Sequence, residues 1–163
     1  MAEAGTPSLT PALRLALVAV ALVAVAVLAG CATSTPPDAR QGLAGTQWQL
    51  RSVTSMDDAQ GRTVVPEPRR YTLRFDANGN ASLQLDCNRG FATWKAEPAV
   101  DGLTGSLSFG PLAATRALCP PPRLDERIAR DLPFVRGYRL LDGKLYLSLL
   151  ADGGIYEWER AGR

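Results

Sequence analysis

The chain has 163 residues, with eighteen basic and sixteen acidic side chains, a formal charge of +2 and no histidine. A balance this even, without a basic run, leaves no stripe for a nucleic-acid backbone, so no nucleic-acid partner is expected. The missing imidazole removes Ser-His-Asp triads, His-based general base catalysis and most zinc or copper sites, and neither a metal nor a cofactor is expected.

From Leu15 to Gly30, sixteen residues are uncharged and nearly all apolar. As a helix they cover about 24 Å, short of the roughly 30 Å hydrocarbon core of a bilayer. Their length and small-residue end suit the apolar region of a secretory signal. Leu28-Ala29-Gly30-Cys31 resembles the lipobox of bacterial lipoproteins. That resemblance implies removal of residues 1–30 and lipidation of Cys31, with an uncleaved membrane anchor as the alternative reading. Residues 31–44 are small, polar and proline-containing, the composition of a flexible tether. A single domain is expected over 45–163.

The domain opens with Trp48 and Leu50 alternating with polar residues, the pattern of a half-buried strand. Ser55 to Arg70 is polar and reads as a surface excursion of open structure. Tyr71, Leu73 and Phe75 share one strand face, Asn78-Gly79 marks a hairpin turn, and Leu83, Leu85 and Cys87 line the returning strand. Alternation places Asp76 and Asp86 on the solvated face. Asn88 to Trp94 reads as a turn leading into a short strand, followed by a loop from Glu97 to Gly102. Leu103, Leu107 and Phe109 then recur with period two, and Leu112 to Cys119 is extended or irregular before a triple proline. Leu124, Ile128 and Leu132 form one stripe of a short helix, with Asp125 and Glu126 in its first turn and Pro133 at its end. A meander completes the chain: Tyr138 and Leu140, an Asp142-Gly143 turn, Leu145, Leu147 and Leu149, then Tyr156 and Trp158.

With Cys31 consumed by lipid, Cys87 and Cys119 are the only pair left for a disulfide in an oxidising compartment. A redox or metal pair is the rival reading, without a CxxC spacing or further ligands behind it. Asn88 is read as satisfying backbone groups beside a turn rather than a ligand. Arg116 either pairs with a carboxylate such as Asp86 or presents its guanidinium to an anionic partner. Arg123, Arg127, Arg130 and Arg136 are interleaved with acids, as on an ordinary solvated face; anionic lipid is the alternative. Trp48, Trp94 and Trp158 read as core aromatics, Trp94 the least buried.

In order along the chain stand Trp48-x-Leu50, Cys87-Asn88-Arg89, Phe109-Gly110-Pro111-Leu112, Thr115-Arg116, Cys119-Pro120 and Leu145-x-Leu147. This ordered set resembles the META domain family of HslJ-like bacterial lipoproteins, with Trp48, Asn88 and Thr115 as structural motif residues. One departure is Asp86, where the family usually has glycine. The resemblance implies an α+β fold: a bent, mostly antiparallel, barrel-like sheet with one short helix packed on it, and no established enzymatic activity. The expectation is a non-catalytic outer-membrane lipoprotein facing the periplasm, with a role in envelope stress or integrity through binding another envelope protein or ligand. Ala32 after the lipidated cysteine favours the outer membrane. Arg89, Trp94 and Arg116 are the candidate partner-binding residues. A pilotin-like or small-ligand carrier is one alternative; an inhibitor of a periplasmic enzyme such as lysozyme, acting through Ser55–Arg70, is another.

Overall fold

The computed structural model describes residues 42–56, 61–121 and 123–162. The signal segment, Cys31 and most of the tether lie outside the described residues. Among those described, ten strands follow one another: β1 (Gln47–Thr54), β2 (Arg62–Val64), β3 (Tyr71–Phe75), β4 (Asn80–Leu85), β5 (Asn88–Pro98), β6 (Thr104–Phe109), β7 (Ala113–Ala114), β8 (Val135–Leu141), β9 (Lys144–Leu149) and β10 (Ile155–Arg160). A single α-helix, α1 (Leu124–Asp131), stands between β7 and β8. It is too short to cross a membrane, and no other described helix is long and apolar enough to do so.

β1 bonds to β3 on one edge and to β10 on the other, so the order β1-β3-β4-β5-β6-β8-β9-β10 returns to its start as an eight-stranded barrel. The expected mostly antiparallel, barrel-like sheet with one short helix is present; the class is corrected from α+β to mostly β, and the sheet closes fully. The cause is a pairing between the two ends of the domain, Trp48 with Arg160 through to Thr54 with Ile155. Closure hides the strand edges that an open sheet leaves unpaired. Past Gln49, β1 parts from β3 and takes β2 as its neighbour, Ser52 facing Val64. Part of the Ser55–Arg70 excursion is thus a hairpin, which ends by burying Val65.

Turn chemistry sets most of the register. Asp142 and Gly143 both have positive φ (50° and 73°), as a two-residue hairpin of the primed type demands. At Asn78-Gly79 only the glycine has positive φ (82°). The Gly79 amide reaches the Asp76 carbonyl, which makes this a three-residue loop rather than the two-residue turn its Asn-Gly pair suggests. The turn expected within Asn88–Trp94 lies earlier, at Asp86-Cys87: Leu85 faces Asn88 across it, and β5 then runs unbroken for eleven residues. Leu103 is 40% exposed. The Asp101 carboxylate accepts the Leu103 and Thr104 amides, at 2.9 and 3.0 Å, and holds the turn until β6 begins.

Alternation then fills the barrel. Tyr71, Leu73 and Phe75 of β3, Ala81, Leu83 and Leu85 of β4, Leu145 and Leu147 of β9, and Tyr156 and Trp158 of β10 are all buried in one core. Phe75 meets Trp94 edge-on, with ring centroids 5.1 Å apart. At one end of the barrel β4 finishes while β5, β8 and β10 begin. The stripe Leu124, Ile128 and Leu132 joins the core there, and the buried Tyr156 hydroxyl donates to Asp131 at 2.7 Å. Burial and that hydrogen bond push the Tyr156 phenol far above the usual tyrosine range.

Candidate functional site

The helix end of the barrel is built around Asn88, the first residue of β5, whose side chain faces inward and is buried. β6 ends at Phe109, and after Gly110-Pro111 the chain continues along β5 as β7 and an extended strap to Cys119. Asn88 holds that strap. Its amide nitrogen donates to the Ala117 carbonyl and to Asp125 Oδ2, both at 3.0 Å. Its amide oxygen accepts from the Ala117 amide at 2.7 Å and from the Thr115 hydroxyl at 2.9 Å. Both donors and both lone pairs are in use, joining barrel, strap and helix through one side chain. Thr115 Oγ1 also accepts the Arg89 amide at 3.0 Å. The Cys87–Cys119 disulfide, with Cα atoms 5.6 Å apart, ties the far end of the strap to the β4–β5 turn.

Beside this junction lies Asp86, which alternation had assigned to a solvated face. It is buried, with φ of 60°. It occupies a turn, and a turn does not continue the alternation of the strand before it. Its carboxylate is paired with Arg70, whose Nε lies 2.7 Å from Oδ1, and Arg70 is also bonded to Glu67. The expected Arg116–Asp86 pair is therefore replaced by Arg70–Asp86. That carboxylate holds the Arg70 guanidinium pKa above its ordinary value. Arg70, at the end of a short 3₁₀ turn, carried no sequence signal for this role.

Between the strap and α1 runs an open cleft of about 750 Å³. Leu85 and Asn88 lie at its base, Leu112 to Leu118 form one wall, and Arg123, Asp125, Glu126, Ala129 and Arg130 form the other. Leu118 is 81% exposed. Arg123 pairs with Glu126, and Arg130 with Asp131. Arg116 is exposed and makes no ion pair among the described residues. Asp125, expected to serve the helix dipole from the surface, is instead turned inward to Asn88. Its Oδ1 is buried without a hydrogen-bond partner. No group of three or more Cys, Asp or Glu side chains among the described residues is placed to hold a metal.

Of the candidate binding residues, Arg116 alone lines this cleft. Arg89 and Trp94 lie on opposite faces of β5, because odd and even positions of a strand point apart. Arg89 is exposed on the outer face. Trp94 is half-buried against Phe75, its Nε1 donating to the carbonyls of Asp76 and Asn80 at 3.2 and 3.0 Å. Trp48 is buried, bonded through Nε1 to Thr46 Oγ1 at 2.7 Å, with the Arg160 guanidinium 5.6 Å from its ring. Arg123 and Arg130, read from sequence as a solvated face with anionic lipid as the alternative, line the cleft. Their helical spacing hinted at one wall, but only the strap supplies the other.

Curated proteins contain no match to this chain. A solved structure, a DUF4847 family protein from Bacteroides vulgatus, is similar at 12% identity over 74% of this chain and 96% of that one, with a TM-score of 0.46. So distant a likeness has no bearing on function. A family model of the META domain, by contrast, matches residues 41–161, which spans every strand of the barrel, the strap and α1. With the Asn88 junction and the paired cysteines inside that match, the chain belongs to the META domain family.

Proposed function

We propose that this META domain works by binding, not turnover, as the folded part of a lipoprotein anchored through Cys31 to the outer membrane and facing the periplasm. Its partner is another envelope component, in a role tied to envelope integrity or stress. One observation carries this reading: the strap–helix cleft, whose exposed chemistry is arginine guanidinium, the Glu126 carboxylate paired with Arg123, small apolar side chains and backbone. Its one inward carboxylate, Asp125, is engaged by Asn88. Elsewhere Asp86, Asp131, Glu157 and Glu159 are each held in an ion pair, an arrangement that serves structure and leaves them poorly placed for acid–base work. A carrier function inside the barrel is less well supported, since Leu50, Leu73, Phe75 and Trp158 pack its interior.

A photo-crosslinking residue at Leu118, which is exposed and not part of the core, tests this in intact envelopes. The expected result is a discrete light-dependent adduct that is absent when the probe replaces Tyr146 on the outer face of β9. Equal adducts from both positions, or turnover of a cell-wall or lipid substrate by the pure protein, overturns the proposal. The anchoring is tested separately by palmitate labelling, which Cys31→Ser should abolish; normal labelling of that variant removes the lipoprotein reading.

A further inference from the structure

The strap is bonded along one edge only. Ala113 is in register with Phe91 and Ala114 with Gly90. The Thr115 amide donates to the Arg89 carbonyl at 3.0 Å, and the Ala117 amide and carbonyl are both taken by the Asn88 side chain. Successive residues of an extended chain present their backbone amide and carbonyl to opposite edges. With 113, 115 and 117 engaged on the β5 side, the N–H and C=O groups of Ala114 and Arg116 are aimed away from β5. Among the described residues no strand pairs with that edge, and α1 stands across the cleft.

An open edge is normally short, covered, or blunted by charge or proline, because it templates strand pairing. Here the strap is exposed from Ala113 to Leu118, and its side chains are mostly small. An added strand lies about 4.8 Å from its neighbour, and the open cleft of about 750 Å³ lies beside the strap. The charges lining the cleft leave one positive charge in excess, Arg116, Arg123 and Arg130 standing against Asp125 and Glu126. Arg123 is paired with Glu126, Arg130 with Asp131, and Asp125 is turned to Asn88, which leaves Arg116 on the strap as the cleft guanidinium with no acidic partner among the described residues. Backbone groups in an open row with the unpaired Arg116 guanidinium beside them match an extended chain that carries carboxylates.

We propose that the occupant of the cleft is an extended, acidic segment of a partner protein, added to the open edge of β7 as a further antiparallel or parallel strand. Backbone bonds to Ala114 and Arg116 hold it, and the Arg116 guanidinium selects its acidic side chains. This rests on the binding function proposed above and specifies its ligand.

The test uses the purified full chain and a short fluorescein-labelled peptide of alternating glutamate and valine. The expected result is saturable binding that Arg116→Gln weakens about tenfold, the loss of one charge-assisted contact. The same peptide with alternate amides N-methylated should not bind, since the probe loses its ladder donors while the protein is unchanged. Amide exchange at Ala114 and Arg116 should slow in the complex. Equal binding of the N-methylated peptide, equal binding of a lysine–valine peptide, or no slowing at those two amides overturns the strand-addition proposal. So does the absence of binding. If the Leu118 crosslink then captures a glycan or lipid, the binding function stands and the peptide ligand alone is wrong.

Discussion

Asn88 shows how much one buried amide can hold. Its four bonds reach two other stretches of chain, the strap and the helix, so a change of one atom should be felt in both of them. Asn88→Asp replaces the two donors with acceptors facing the Ala117 carbonyl and the Asp125 carboxylate. A loss of about 2–4 kcal/mol is expected, read by urea unfolding near neutral pH; a change within error would show that the junction does not hold the fold. Asp86 illustrates the opposite trade. At φ of 60° a glycine would sit without strain, yet the aspartate gains the ion pair with Arg70, whose side chain is 31% exposed against 3% for Asp86. Arg70→Ala alone leaves a buried carboxylate uncompensated and should cost about 1–3 kcal/mol. Adding Asp86→Gly should restore most of that loss. Strict additivity of the two changes in a double-mutant cycle would refute the pairing.

At the level of elements, the outer face of β2, β1, β10 and β9 carries a charge ladder. Glu157 of β10 accepts from Lys144 of β9 at 2.7 Å, from Arg62 of β2 at 2.7 Å and from Ser52 of β1 at 3.0 Å. The Lys144 hydrogen bond, above all, holds the Glu157 carboxyl below its ordinary pKa. A lowered carboxyl pKa means that the folded chain binds fewer protons than the unfolded one. Its contribution is therefore present above the unfolded value, about 4.3, and disappears as pH falls through the folded one. Glu157→Gln should thus be less stable than the parent at neutral pH by about 0.5–1.5 kcal/mol. The gap should narrow in unfolding curves as pH is lowered below the unfolded value, about 4.3. A gap of the same size at neutral and acid pH would assign the effect to packing.

For the molecule as a whole, the disulfide closes the fold's remaining loose connection. Cys87 and Cys119 are 32 positions apart, and a cross-link over such a loop contributes roughly 3.5–4 kcal/mol on the chain-entropy account. Because the bond ends the strap rather than the barrel, its loss should be felt locally as well as globally. Cys119→Ala is expected to lower the melting temperature and to speed amide exchange at Thr115 and Ala117 ahead of the β9 and β10 core. Unchanged melting, or two free thiols in protein purified under oxidising conditions, would contradict this. The same strap forms one wall of the cleft, so reduction should also weaken any ligand held there.

Strand alternation at Tyr71–Phe75, Leu83–Leu85 and Leu145–Leu147, the Asp142-Gly143 turn, the stripe Leu124–Ile128–Leu132 and the Cys87–Cys119 pair were all legible in the sequence, because each follows from local periodicity, turn stereochemistry or counting. The ordered motifs likewise indicated the family. Three things needed the tertiary structure: closure of the sheet through β1 and β10, the Arg70–Asp86 pair, and the cleft that joins Arg116 to Arg123 and Arg130. Trp94 and Arg89 looked like one surface in the sequence and lie on opposite faces of a strand, once the turn proves to be at Asp86-Cys87. A shift of a turn by a few residues reverses which side chains face the core, and residues distant in sequence become neighbours only when the barrel closes. Local stereochemistry therefore specifies the strands and turns, whereas the site is made by long-range pairing, whose partners depend on the burial and hydrogen bonding of the whole fold.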